Sequence, residues 1–144
     1  SEDIRTDLPM VWANPTQVYQ LIINLCKNAS DAMDKNGGCL SVSLKPEIIR
    51  RQITAFGSRL SPGHYVKLTV SDTGHGISPD SIDRIFDPFY KGENGGSGLG
   101  LAISRAIIDK HGGTIAMYNC PGGGAKLTIT FSQDSSHGTE NRDN

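Results

Sequence analysis

Long apolar runs are missing from this chain. They are of the Leu21-Ile22-Ile23 kind, far below the ~20 residues that a bilayer-spanning helix needs. The N-terminus is acidic and carries no apolar h-region, so no secretory signal is expected. Cysteine is scarce: Cys26, Cys39 and Cys120 are odd in number and show no C-x-x-C spacing. That argues against a disulfide framework or a zinc site and predicts a cytoplasmic, reducing location. Neither sign of charge is in excess. Lys and Arg number 14 against 15 Asp and Glu, net −1, which excludes nucleic acid and direct membrane contact as expected partners, because both need a basic face. The chain opens on Ser1 rather than Met, which reads as a segment of a longer protein. Its 144 residues, 36% of them hydrophobic, suffice for one domain with a core.

Glycine is abundant instead. There are 17, about 12% of the chain against ~7% typically. Most fall in four clusters: Gly74/Gly76, Gly92/Gly95/Gly96/Gly98/Gly100, Gly112/Gly113 and Gly122/Gly123/Gly124. Glycine permits positive φ and close approach of backbone to a ligand, so this clustering points to a bound ligand.

The elements follow from period and punctuation. Asp7-Leu8-Pro9 predicts a bend before a short strand at Met10–Trp12. Asn14 then caps a helix with Pro15 at its first position. Val18, Leu21, Ile22, Leu25, Ala29, Ala32 and Met33 form its apolar face, and Asn36-Gly37-Gly38 ends it. Leu40–Leu44 and Tyr65–Ser71 alternate as strands, and the stretch 46–63 between them extends both into a long hairpin. Ser78-Pro79-Asp80 predicts a short helix to about Ile85, and Phe86–Gly96 a loop. A second helix starts at Gly98 with Leu99, Ala102, Ile103, Ala106 and Ile107, and stops at Gly112. Thr114–Tyr118 and Lys126–Phe131 are strands joined through Pro121-Gly122-Gly123-Gly124. Residues 1–131 thus form the domain, and the polar tail 132–144 is expected to be disordered. This order, without strict βαβ alternation, predicts an α/β fold with helices on one face of a mixed sheet.

Three features can carry chemistry. On the first helix, Gln17, Asn24, Asn28 and Asp31 fall within a stripe of about 60° at the edge of the apolar face. Such a stripe is either a solvated edge or a set of oxygen ligands for a hard cation such as Mg²⁺. Ser71-Asp72-Thr73-Gly74-His75-Gly76-Ile77 ends a strand. It is either a plain turn or a carboxylate acceptor beside bare backbone, suited to an exocyclic amine on a flat ring. Gly96-Ser97-Gly98-Leu99-Gly100-Leu101 leads into a helix whose free N–H groups attract phosphate, unless it is only a flexible loop with a cap. A P-loop would require Gly-Lys-Ser/Thr there, and the dinucleotide fingerprint a preceding strand; neither fits. Lys91 is either solvated or within reach of a phosphate. His64, His75, His111 and His137 pair with no Ser or Cys nucleophile and are expected at the surface.

Taken in order, these segments resemble the catalytic, ATP-binding domain of bacterial two-component sensor histidine kinases, within the wider family shared with gyrase, Hsp90 and MutL. Asn24-Leu25-Cys26-Lys27-Asn28-Ala29 resembles the N box, Asp72-Thr73-Gly74-His75-Gly76 the G1 box, and Phe86-Asp87-Pro88-Phe89 the F box. Gly96 to Leu101 resembles the G2 box and Gly122-Gly123-Gly124 the last glycine turn. The match spans roughly Thr6 to Phe131. It implies a Bergerat two-layer α/β sandwich with a mostly antiparallel mixed sheet, and ATP with Mg²⁺ as ligands. Asn28, supported by Asn24, would hold the metal. Asp72 would accept from the adenine amine, with Gly74, Gly76 and Ile77 shaping the slot. Ser97, Gly98, Leu99 and Gly100 would meet the phosphates, and Phe89, Tyr90 and Lys91 belong to the lid. No catalytic residue is assigned. Asp31 stands where many of these kinases carry a Lys, and the lid is a couple of residues short. No acceptor-histidine segment is present, so this fragment alone should not autophosphorylate. The implied partners are a helical dimerisation and phosphoacceptor domain and then a response-regulator receiver domain. Two alternatives remain: an ATP-hydrolysing relative, or a degenerate nucleotide-sensing or docking module.

Overall fold

A computed structural model describes residues 1–33, 37–55, 58–90 and 100–133. Along the chain run β1 (Glu2–Ile4), α1 (Pro15–Ala32), β2 (Leu40–Ile49), β3 (Ile53–Ala55), β4 (Ser58–Leu60), β5 (Gly63–Asp72), α2 (Gly100–Lys110), β6 (Thr114–Asn119) and β7 (Ala125–Ser132). Five strands form one sheet in the order β1-β2-β5-β7-β6, with β3 and β4 paired separately. Only β1–β2 is parallel; β2–β5, β5–β7 and β6–β7 are antiparallel.

The core follows from alternation. Leu68 and Val70 of β5 and Leu127, Ile129 and Phe131 of β7 point to one face, where Leu21 and Leu25 of α1 and Ile107 and Ile108 of α2 cover them. Both helices therefore lie on one side of a mixed, mostly antiparallel sheet, as expected. The cap of α1 is also as expected: Asn14 Oδ1 accepts from Gln17 N–H at 3.1 Å, and Pro15 stands in the first turn. No helix among the described residues is long and apolar enough to cross a membrane.

Several expectations are corrected. The N-terminal strand is Glu2–Ile4, paired with Val42–Leu44, whereas Met10 and Trp12 are 83% and 74% exposed and form no strand. The 46–63 stretch does lengthen both neighbours, with register continuing to Ile49↔Gly63. It then adds the β3–β4 hairpin, anchored by Leu60 against Ile49 and Tyr65. The expected helix after Ser78 is a chain of tight turns: Ser81, Arg84, Asp87 and Tyr90 each donate to the carbonyl three residues earlier. That spacing leaves no room for the i→i−4 ladder. On α2, Ile103 and Ala106 are exposed and Ser104 is fully buried, its hydroxyl donating to Gly100 O at 2.8 Å.

His111 is also not a free surface residue. Half-buried, it accepts from Asn14 N–H at Nε2 (3.0 Å), and its Nδ1 lies 2.7 Å from Ile107 O. A carbonyl only accepts and an amide only donates, so the ring carries its proton on Nδ1. This residue ties the end of α2 to the start of α1. The domain runs one residue further than expected, because Ser132 ends β7 opposite Tyr65 rather than starting a disordered tail; the rest of the tail from 134, and a helix start before Gly100, fall outside the described residues.

Ile129 is fully buried between the strands and helices. Ile129→Ala should lower unfolding free energy by about 2–5 kcal/mol, measured by denaturant titration. Trp12→Ala, at an exposed position, should change it by no more than ~0.5 kcal/mol.

Candidate functional site

Asp72 closes β5 at the edge of the core and is buried at 8% exposure. A buried carboxylate needs donors, and the backbone supplies them. Oδ1 accepts from Gly74 N–H at 2.8 Å and from Ala125 N–H at 3.3 Å. Among the described residues no donor reaches Oδ2, so one oxygen is fixed by the fold and the other has no partner there. Two glycines make this packing possible. A Cβ at Gly74 would collide with the Ala32 carbonyl at the end of α1, which also receives His75 N–H at 3.1 Å. A Cβ at Gly124, whose φ is +84°, would collide with the Asp72 carbonyl. The loop after β5, the β6–β7 turn and the end of α1 therefore meet at Asp72.

The polar stripe of α1 divides. Gln17, Asn24 and Asn28 are half-buried, and Gln17 Oε1, Asn24 Nδ2 and Asn28 Nδ2 are buried with no hydrogen-bond partner among the described residues. Asp31, at the end of the same stripe, is exposed. Orphaned buried amides each cost about 1–3 kcal/mol, and they mark where a partner belongs. Opposite them stands the start of α2: a Cβ at Gly100 would lie 3.6 Å from Asn28 Oδ1 and 3.7 Å from Nδ2. The metal-ligand candidate and a helix N-terminus thus face each other. A carboxamide presents either oxygen or nitrogen by rotation, so Asn28 and Asn24 fit a hard cation as oxygen ligands. Lys91, Ser97, Gly98 and Leu99 lie outside the described residues.

The segment 78–90 is braced internally. Tyr90 OH lies 2.6 Å from Ser81 Oγ, which in turn accepts from Ser78 Oγ at 2.8 Å. Arg105 of α2 sits 5.3 Å from the Phe86 ring centroid, a cation–π contact. Phe89 is 71% exposed and has φ +65°, the one positive-φ residue other than glycine among the described residues. Such a conformation costs about 1–3 kcal/mol and persists only where neighbours impose it.

Ile77 is gripped by a residue that the sequence did not single out. Asn119 Oδ1 accepts from Ile77 N–H at 2.7 Å, and Asn119 Nδ2 donates to Ile77 O at 2.8 Å. The available signal was an Asn at the last position of a strand whose following turn carries glycines, which alone is indistinct from an ordinary turn residue.

The family model for histidine kinase-, DNA gyrase B- and HSP90-like ATPases matches residues 13–135. The chain is 37% identical over 123 residues to the sensory histidine kinase/phosphatase NtrB of Escherichia coli O157:H7, covering 83% of this chain and 33% of that protein. It is 35% identical over 122 residues to the sensor histidine kinase ZraS of Escherichia coli K12, covering 85% of this chain and 23% of that one. The chain therefore spans about a third or less of these relatives' length. Among solved structures, a nucleotide-free catalytic domain of histidine kinase ThkA aligns with TM-score 0.66 and 26% identity, over 92% of this chain and 78% of that one. Full-length ShkA in complex with AMPPNP aligns with TM-score 0.67 and 25% identity, over 92% of this chain and 25% of that one.

Gly124→Ala should lower the melting temperature measurably and disturb the Asp72 main chain, seen as shifted amide resonances at Thr73 and Gly74. Gly122→Ala, where a Cβ meets nothing within 4 Å, should leave both unchanged.

Proposed function

The chain belongs to the histidine kinase-, DNA gyrase B- and HSP90-like ATPase family, and from that membership we propose that it binds ATP with Mg²⁺ and presents the γ-phosphate to a histidine on a separate helical domain. The relatives are sensor histidine kinases, which supports a role in signal transduction. The observation that carries the reading is the orphaned amide of Asn28 against the first residue of α2. No core residue gains from that placement, whereas a metal-bound phosphate answers both the amide and the free helix N–H groups.

In this reading the residues divide the work. Asp72 Oδ2 accepts from the adenine amine, while Gly74, Gly76 and Ile77 form the wall against which the base lies. Asn28, with Asn24 one turn earlier, holds Mg²⁺, which offsets phosphate charge when bound. The N-terminus of α2 at Gly100, with Ser97, Gly98 and Leu99 before it, receives the phosphates. Tyr90, Lys91 and Phe89 belong to the lid, and Tyr90 would exchange its bond to Ser81 for a nucleotide contact. Asp31 has no assigned contact. Catalysis is positioning, and the acceptor histidine, like the receiver domain that takes the phosphoryl group next, is a partner. The fragment alone is thus expected to bind ATP and transfer nothing, in the cytoplasm. Hydrolysis is the weaker reading, because Asn24, one turn before Asn28, is a carboxamide and cannot take a proton from water.

Titration calorimetry tests this. Micromolar to sub-millimolar ATP binding that depends on Mg²⁺ is expected, and Asn28→Ala should abolish the Mg²⁺ dependence. No heat with any adenine nucleotide sinks the proposal. Asp72→Asn removes a charge-assisted bond, and the preference for ATP over GTP should shrink by about 1.5–3 kcal/mol, read from the two dissociation constants.

A further inference from the structure

Asn119 is the last residue of β6, where backbone pairing ends at Asn119↔Ala125. Its side chain continues that pairing by other means. Oδ1 takes the Ile77 N–H and Nδ2 donates to the Ile77 carbonyl, at 2.7 and 2.8 Å. A carboxamide set against a peptide in this way forms one more rung of sheet, placed between the β6–β7 turn and the loop that follows Asp72. The neighbouring glycine fits the same arrangement: Gly76 has φ +77°, and a Cβ there would lie 2.8 Å from Asn119 Oδ1. Gly76 and Asn119 are thus a matched pair, the glycine leaving space for the amide that fixes the next residue.

The consequence is chemical as well as mechanical. Ile77 N–H and C=O both point at Asn119, so this stretch of the wall offers a ligand no free N–H donor and turns its carbonyl away from the base. Asp72 Oδ2 is then left to meet the polar edge of a base. Released from Asn119, the Ile77 peptide becomes a donor–acceptor pair, the complement of guanine O6 and N1–H. We propose that Asn119 is a positioning residue that fixes the Gly76–Ile77 wall of the base site and, by engaging both polar groups of Ile77, sets the preference for adenine over guanine. The inference rests on the reading that adenine binds beside Asp72, and extends it to a residue outside the segments that carry the family resemblance.

The test uses Asn119→Ala and Asn119→Leu, the second being close to isosteric but unable to pair with a peptide. Calorimetry with ATP, GTP and adenosine should show ATP and adenosine weakened by the same factor, at most about a hundredfold, the limit in which both lost neutral hydrogen bonds pass fully into binding. GTP should be weakened less, so the ATP:GTP ratio falls. A purely structural role would instead lower the melting temperature and leave that ratio alone. An unchanged ratio in folded variants overturns the proposal even where ATP binding weakens. Amide hydrogen exchange in the unmodified protein gives a readout independent of the variants: Ile77 should be protected although Asn119 is exposed. Exchange at the rate of a free loop overturns the proposal. If the unmodified protein binds no adenine nucleotide, the reading of the previous subsection fails and takes this one with it; if it binds ATP and the variants match it, only the role of Asn119 falls.

Discussion

The Asp72 carboxylate draws the site together because one of its oxygens is held by two backbone amides from different segments. Gly74 N–H comes from the loop that follows, and Ala125 N–H from the start of β7. Burying a carboxylate without donors would cost several kcal/mol, so the loop and the turn must both come within hydrogen-bond reach. That requirement dictates the rest of the neighbourhood. The Asp72 carbonyl presses on Gly124, Gly74 presses on the Ala32 carbonyl at the end of α1, and the Gly76–Ile77 segment is fastened by Asn119. The remaining oxygen keeps a fixed direction without a partner among the described residues, which is what a selective acceptor needs.

The helices solve a related problem with the opposite economy. At one end, His111 links the end of α2 to Asn14 at the cap of α1, and every polar atom of the ring is paired. At the other, Asn28 stands against Gly100 with an amide nitrogen unpaired. Ser104 shows that the fold can satisfy a buried hydroxyl between these helices, through the Gly100 carbonyl in its own helix. The unpaired amide atoms of Gln17, Asn24 and Asn28 all lie on one edge of α1, whereas Ser104 and His111 between the same helices are paired. Apolar side chains of similar size would stabilise the same contact, and the difference is intelligible if a ligand completes it.

Strongly periodic segments were legible in the sequence. The cap of α1, its face through Leu21, Leu25 and Ala29, the alternation of β5 and the β6–β7 hairpin follow from local pattern, as does a carboxylate followed by Gly-x-Gly at a strand end; Ile22, also expected on the α1 face, is 39% exposed. What was not legible depends on partners distant in the chain. The strand at Glu2–Ile4 is three residues long and exists through its pairing with Val42–Leu44; nothing within three residues declares it. On α2, a spacing of three to four residues fits the stripe through Ile103 and Ala106 as well as the one through Ser104, Ile107 and Ile108, and only packing against α1 chooses the second. His111 and Asn119 act through residues 97 and 42 positions away. Their types carry no sign of it, since a His before Gly-Gly and an Asn at a strand end are common helix-stop and turn residues.

The α1 edge beside Asn28 also bears on which reaction the site serves. Its half-buried polar members, Gln17 and Asn24, are carboxamides, and the stripe's one carboxylate, Asp31, is exposed. An amide can orient a water or help hold a cation, but it accepts no proton at neutral pH, so on the proposed reading a water near a bound phosphate would gain no nucleophilicity from these carboxamides. A site that grips a triphosphate while leaving water unactivated is stable towards loss of the γ-phosphate and depends on a nucleophile from outside. On the proposed reading this inertness is functional. The separation of nucleotide binding from the reacting side chain makes transfer conditional on docking of a partner, and a single carboxylate at position 24 would weaken that condition.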